Sequence, residues 1–431
     1  MRTRRYGLAG LAAALMGLSC AFWVAPASGQ GGMVFTSGPI SGPGGRDEVT
    51  AARLASYMRV LGFDESQRSA TKDIHEGYLE LIRSIDADRE RAIRDARRDA
   101  EEGDTSSLIE ALPKAIGEAA SKKRKATASL LEDLRAMLTP EQHARWASLE
   151  RLRRRESGLV SSVSGAGVDL VALIEELRMP EEVRTATVGI LAEYELELDG
   201  VLRGNEREMA KLDEKAGGGG AGMPRVMDFA TVREREEAER KGGVRVRDVN
   251  KRYASRLAEG LPGEWKDRLL SVYRERAFRR VYRESHAMTA LRTALKFDDL
   301  DADQRRRLEE LLGQHEREAA RLNARWAEAL EKAETEGTAG GAFDGLPGME
   351  DRTSEDLKAA RAARSAYDRQ TEERLGTILT PGQKERLPKR RQGNGPVIVT
   401  PNGDEVEAEV EFHETGSGGG VRIMRMGPGG G

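Results

Sequence analysis

Residues 74–93, IHEGYLELIRSIDADRERAI, place Ile74, Tyr78, Leu81, Ile82, Ile85 and Ile93 at intervals that fall along one side of an α-helix. The residues between them are mostly charged, so the apolar stripe is narrow. A helix with so narrow a stripe has too little apolar surface to stand alone and needs a partner rod to cover it.

Moving outward, the same stripe occurs twice more. Leu191, Tyr194, Leu198, Leu202, Met209 and Leu212 repeat it, and so do Leu308, Leu311, Leu312, His315, Leu322, Trp326 and Leu330. Each stripe follows a short apolar helix ending at Leu61-Gly62-Phe63, Leu177-Arg178-Met179 or Leu295-Lys296-Phe297, and these endings lie 116 and 118 residues apart. Tyr78 and Tyr194 hold the same place after their endings, and His315 takes it in the third copy if three residues are inserted around Leu300. Each long helix then breaks, at Glu102 to Ser107, Ala216 to Met223 and Gly337 to Gly348, before a second long helix begins. The expected fold class is all-α, with three tandem antiparallel helical-hairpin modules at 48–160, 161–285 and 286–391.

The second long helices end at proline turns. Leu138-Thr139-Pro140-Glu141-Gln142 and Leu379-Thr380-Pro381-Gly382-Gln383 are near copies, and Leu261-Pro262-Gly263-Glu264-Trp265 is a degenerate one. Threonine caps the next helix, proline suits its first turn, and glutamine three residues on reaches back to complete a capping box. Asp64 with Gln67 and Asp301 with Gln304 use the same device to open the first long helices, whereas Pro180-Glu181-Glu182-Val183 keeps only the proline start.

A leucine followed by Thr-x-x-Gln at helix starts in an exported helical chain resembles the LTXXQ-motif family of periplasmic stress proteins, which includes Spy and CpxP. The resemblance spans residues 51–391 as three units, with Leu138 to Gln142 and Leu379 to Gln383 matching the motif outright. Asp64 replaces the threonine, the middle unit has neither complete motif, and familiar members are single units that pair. The resemblance implies ATP-independent binding of unfolded clients or envelope-stress sensing.

The two ends differ from the helical body. Arg2, Arg4 and Arg5, an apolar run from Gly7 to Val24 and Ala25-Pro26-Ala27 read as a signal peptide over 1–27, giving a periplasmic or secreted product. Its loss would move the formal charge from -3 to -6 by removing three arginines, and would remove Cys20, the only cysteine. Disulfide and thiolate chemistry are then excluded from the mature protein. A Gly, Ser and Pro-rich spacer follows at 28–47. At the other end, 392–431 reads as a flexible tail in which Val397–Thr400 and Val406, Ala408, Val410 and Phe412 alternate like a β-hairpin around Pro401-Asn402-Gly403.

Composition and motifs argue against catalysis. Charged residues at 33% against 5% aromatics suit long, narrow-seamed helices better than a thick core around a pocket. His75-Glu76 and His315-Glu316 begin like a zinc-protease helix, but Leu79 and Ala319 stand where the second histidine must be. No glycine run has the lysine of a phosphate loop, and no serine sits in a nucleophile elbow. No catalytic residue, cofactor or metal ligand is therefore expected, nor any membrane span after the signal.

A basic cluster follows each proline turn. Arg151, Arg153, Arg154 and Arg155 form the first, Arg274, Arg276, Arg279, Arg280 and Arg283 the second, and Arg386, Lys389, Arg390 and Arg391 the third. Solvated helix faces balanced by Glu150, Glu156 and Glu284 account for such clusters, and so does a positive surface that attracts acidic or unfolded clients, with Trp146, Trp265, Phe278 and Tyr282 interleaved. The expected function is a chaperone-like or envelope-stress binding protein whose partners are protein clients or envelope proteins, with self-association and without nucleic acid. A coiled-coil-like envelope scaffold and a metal-responsive sensor are the alternatives.

Overall fold

The computed structural model describes residues 48–101, 105–215, 229–340 and 351–389, together with strands at 397–399, 405–407, 409–413 and 420–424. The signal-peptide and spacer assignments at 1–47, Arg390, Arg391 and the Pro401-Asn402-Gly403 turn lie outside these residues. The chain is all-α in class. In order, its helices are α1 (Ala51–Leu61), α2 (Glu65–Glu101), α3 (Thr105–Ala136), α4 (Pro140–His143), α5 (Trp146–Gly158), α6 (Leu170–Glu176), α7 (Glu181–Thr185) and α8 (Val188–Lys215). They continue as α9 (Phe229–Glu259), α10 (Gly263–Ala277), α11 (Arg279–Tyr282), α12 (His286–Ala294), α13 (Ala302–Glu336), α14 (Glu355–Ile378) and α15 (Pro381–Glu385). In the tail, β1 (Val397–Val399) pairs antiparallel with β2 (Glu405–Glu407), and β3 (Glu409–His413) with β4 (Gly420–Met424).

Two compact units are formed, one from 1–158 and 195–238, the other from 159–194 and 239–431. The stretch expected as a middle module, 161–285, contributes residues to both. In the first unit α2 and α3 run along each other as a hairpin, and α1 packs on α5. Of the stripe read from the sequence, Tyr78, Ile82 and Ile85 are buried and Ile74 and Ile93 half-buried, but Leu81, expected on the same inner face, is 49% exposed, because it stands one position round the helix from Ile82 on the open side. Leu54, Tyr57, Leu61, Phe63, Leu130, Leu134, Leu138 and Leu149 complete this core. Helix α1 ends at Gly62, whose φ of 71° is the left-handed conformation that lets the chain turn sharply into α2.

In the second unit α13 and α14 form the corresponding hairpin, with α12 packed on both. Ala290, Leu291, Ala294, Leu308, Leu311, Leu375 and Leu379 form its core. The loop between α5 and α6 is unusual in being buried at Val163, Ala166 and Val168. Its backbone groups therefore need partners. Gly165 N donates to the Ala277 carbonyl at 3.0 Å, and the Asn250 side-chain amide donates to the carbonyls of Gly165 and Val168 at 2.8 and 2.9 Å.

Leu134 is fully buried at the α2/α3 seam. Leu134→Ala is expected to destabilise the chain by about 2–5 kcal/mol. Leu81→Ala, on the open side, should change stability by under roughly 0.5 kcal/mol. Chemical denaturation followed by far-UV circular dichroism measures both, and equal losses would contradict the seam assignment.

Candidate binding surface and the paired capping motifs

The motif residues occupy the end of each hairpin where the chain enters and leaves. Gln142 N donates to Thr139 Oγ1 at 3.3 Å, and the Thr139 amide donates to Gln142 Oε1 at 3.0 Å, closing a capping box at α4. Asp64 and Gln67 close the same box at α2, at 2.8 and 3.1 Å. The glutamine side chains have two N–H hydrogens left, and these tie the boxes together. Gln67 Nε2 donates to Gln142 Oε1 at 2.8 Å and to the Met137 carbonyl at 2.7 Å, while Gln142 Nε2 donates to Gln67 Oε1 and to the Gly62 carbonyl, both at 2.9 Å.

The second unit repeats this pattern. Asp301 with Gln304 and Thr380 with Gln383 each form a capping box. Gln304 Nε2 donates to Gln383 Oε1 at 3.0 Å and to the Ile378 carbonyl at 2.9 Å; Gln383 Nε2 donates to the Asp299 carbonyl at 3.1 Å and to Gln304 Oε1 at 3.4 Å. The motif leucines, Leu138 and Leu379, are buried in the two hairpin cores. At Pro180 and Pro262 no side chain caps the following helix, and Val183 and Trp265 stand in place of the glutamines.

A second shared position lies fourteen residues after each helix cap, at Tyr78, Tyr194 and His315. All three rings are buried and reach a polar side chain of a later helix: Tyr78 Oη to Thr127 Oγ1 at 3.1 Å, Tyr194 Oη to Asn250 Oδ1 at 2.9 Å, and His315 Nδ1 to Thr371 Oγ1 at 3.0 Å. The Thr371 hydroxyl also lies within hydrogen-bond reach of the Tyr367 carbonyl, at 3.0 Å. His315 Nε2 lies 3.6 Å from Asp368 Oδ1. Burial, reinforced by the Arg364 guanidinium, lowers the pKa of His315.

His75 is likewise built into its own hairpin, with Nε2 2.7 Å from the Val49 carbonyl and its ring stacked on Tyr78. Among the described residues no three His, Cys, Asp or Glu side chains are grouped to hold a metal. A cleft between α13 and α14 is lined by Arg307, Glu310, Leu311, Gln314, Arg374, Thr377 and Ile378.

The basic clusters fare differently from one another. Arg151 is half-buried and donates to Ser148 Oγ at 2.8 Å. Arg153 is half-buried near Tyr57, whose hydroxyl donates to Glu156 and whose pKa is pushed up to about 12 by burial and then by that carboxylate. Arg154 pairs with Asp199 and Glu206, and the buried Arg155 pairs with Glu195. Residues 151–155 are therefore not the displayed patch that their spacing suggests, because acids of α8 draw Arg154 and Arg155 inward.

In the second cluster Arg274, Arg276, Arg279, Arg280 and Arg283 are all exposed, and Arg276 pairs with Glu176. Arg386, of the third, pairs with Asp299 and lies 4.3 Å from the centre of the Phe297 ring. The aromatic residues between the arginines also divide. Trp146 donates to Glu150, Phe278 is buried, and Tyr282 is half-buried against the edge of Phe278.

No protein-family model, curated protein or solved structure matches this chain. The likeness to LTXXQ proteins accordingly stands on the motif residues described above. Sequence reading missed the buried polar partners. Asn250 had a signal, since it interrupts the apolar face formed by Val246, Val249, Tyr253 and Leu257. Glu334, which accepts from the Ser164 amide and hydroxyl at 2.9 and 2.7 Å, is one acid among many and had none.

Gln383→Glu keeps the capping acceptor but deletes both amide donors at a site 3% exposed. It is expected to cost about 1–3 kcal/mol in denaturation experiments, more than Gln142→Glu at its half-buried site; an unchanged midpoint would refute the tie. His315 gives a pH signature. Because folding lowers its pKa, the unfolded chain takes up the proton first, and stability falls as pH drops through and below about 6.5. His315→Gln should flatten the melting temperature between pH 7.5 and pH 5 relative to the parent, on the order of two pH units spanning that titration.

Proposed function

We propose that this chain is an exported, ATP-independent binding protein that holds unfolded or acidic protein segments on a helical surface, without catalysis or cofactor. The observation that carries the reading is the exposed run Arg274, Arg276, Arg279, Arg280 and Arg283 beside the half-buried Tyr282. Guanidinium groups attract carboxylates over a distance and stack on aromatic side chains once contact is made. An unfolded segment offers both. Val188, 61% exposed in the same unit, offers apolar surface of the kind such segments seek.

Two further features support the reading. Both tied hairpins keep their ends closed, which suits surfaces that must stay in place while clients change. The motif likeness to periplasmic stress proteins points to the same class and to the same compartment. Among the described residues no helix is long and apolar enough to cross a membrane.

Added at near-stoichiometric ratio to a chemically denatured model client, the purified protein is expected to suppress light scattering. Arg279→Glu/Arg280→Glu should weaken suppression at least about twofold, and high salt should do the same by screening. Undiminished scattering in the presence of the parent protein would reject client holding and favour the scaffold role.

A further inference from the structure

The arginine run lies beside the point from which the C-terminal tail departs. His286, the first residue of α12, has Nε2 2.9 Å from the Pro388 carbonyl and Nδ1 3.0 Å from Glu372 Oε1. Pro388 is thus fastened three residues beyond Arg283. Sixteen residues then lie between Pro388 and Glu405, a reach of up to roughly 55 Å when extended. The arginines of α11 are well within that span.

The tail that leaves from there is acidic in a regular way. Glu405, Glu407, Glu409 and Glu411 fall at every second position. In an extended strand, residues two apart share a face at a spacing of roughly 7 Å. On the helical side, Arg279 and Arg283 are exposed and have no ion pair among the described residues. They are one helical turn apart, at roughly 5–6 Å, close to the spacing of the glutamates.

We propose that the acidic stretch Glu405–Glu411 docks on Arg279, Arg280 and Arg283 of the same chain. The tail then acts as a tethered competitor for the surface. Its tether gives it an effective concentration on the order of millimolar, so a free acidic segment must bind well to displace it. As a regulator of client binding the contact rests on the function proposed above, but the contact itself does not depend on what else the surface holds.

The test uses the full chain carrying Cys20→Ser, with Glu275→Cys and Ala408→Cys labelled as an energy-transfer pair. Transfer is expected to be high in about 20 mM salt and to fall at least about twofold in about 500 mM salt, where the screening length is roughly 4 Å. Arg279→Glu/Arg280→Glu/Arg283→Glu should lower it as much, and adding Glu405→Lys/Glu407→Lys/Glu409→Lys should restore it. Helical circular dichroism confirms that each variant folds. Transfer insensitive to the arginine reversals, or lost without restoration by the paired reversals, overturns the proposal. No client is present in this measurement, so its outcome is separate from that of the scattering assay.

Discussion

The reciprocal glutamine pair is the constraint around which each complete hairpin is arranged. A helix start leaves backbone N–H groups without partners, and a threonine or aspartate cap supplies one acceptor while the glutamine supplies another. Glutamate would serve the cap as well. Glutamine alone adds two donors to the same acceptor, and those donors cross to the other helix start and to the backbone of Gly62 and Met137. One side chain thereby serves a local and a long-range purpose, which accounts for the motif's choice of amide over carboxylate at residues 67, 142, 304 and 383.

Much of this was legible before any coordinates. The first and third stripes gave the inner faces of two hairpins, Leu81 excepted, and the four cap-and-glutamine pairs gave the helix starts, because each depends on spacing within one segment. What stayed hidden depends on distant segments meeting. Nothing local distinguishes Arg154 and Arg155, drawn into ion pairs with α8, from Arg279 and Arg280, which remain exposed. The basic runs look alike, and it is the burial of the first against α8 that separates them. The coupling of Gln67 to Gln142 was equally out of reach, since each glutamine already has a sufficient local reason to be present.

Buried polar groups set the second unit apart from a plain apolar bundle. Glu334 is buried, its pKa raised by that burial, and its carboxylate receives both hydrogen-bonding groups of Ser164. Arg247 donates to the Glu331 carbonyl and Thr335 Oγ1, and Arg240 to the carbonyls of Glu334 and Thr335, at the end of α13. An unpaired charge in such a place would be strongly destabilising, so the group is retained only as a whole. These bonds fix the loop following α5 against α13, a contact that apolar packing would not specify so narrowly.

The tie between glutamines has one more consequence, for alignment. Two rods joined by a narrow apolar stripe can slide by one heptad and still match apolar residue to apolar residue, because the stripe nearly repeats after seven positions. Such a slip moves one helix about 10 Å along the other. Gln67 and Gln142, seventy-five residues apart in sequence, would then miss each other entirely. The amides thus act as a vernier on the seam: the stripe brings the rods together, and the two side chains select which of its near-equivalent settings is native.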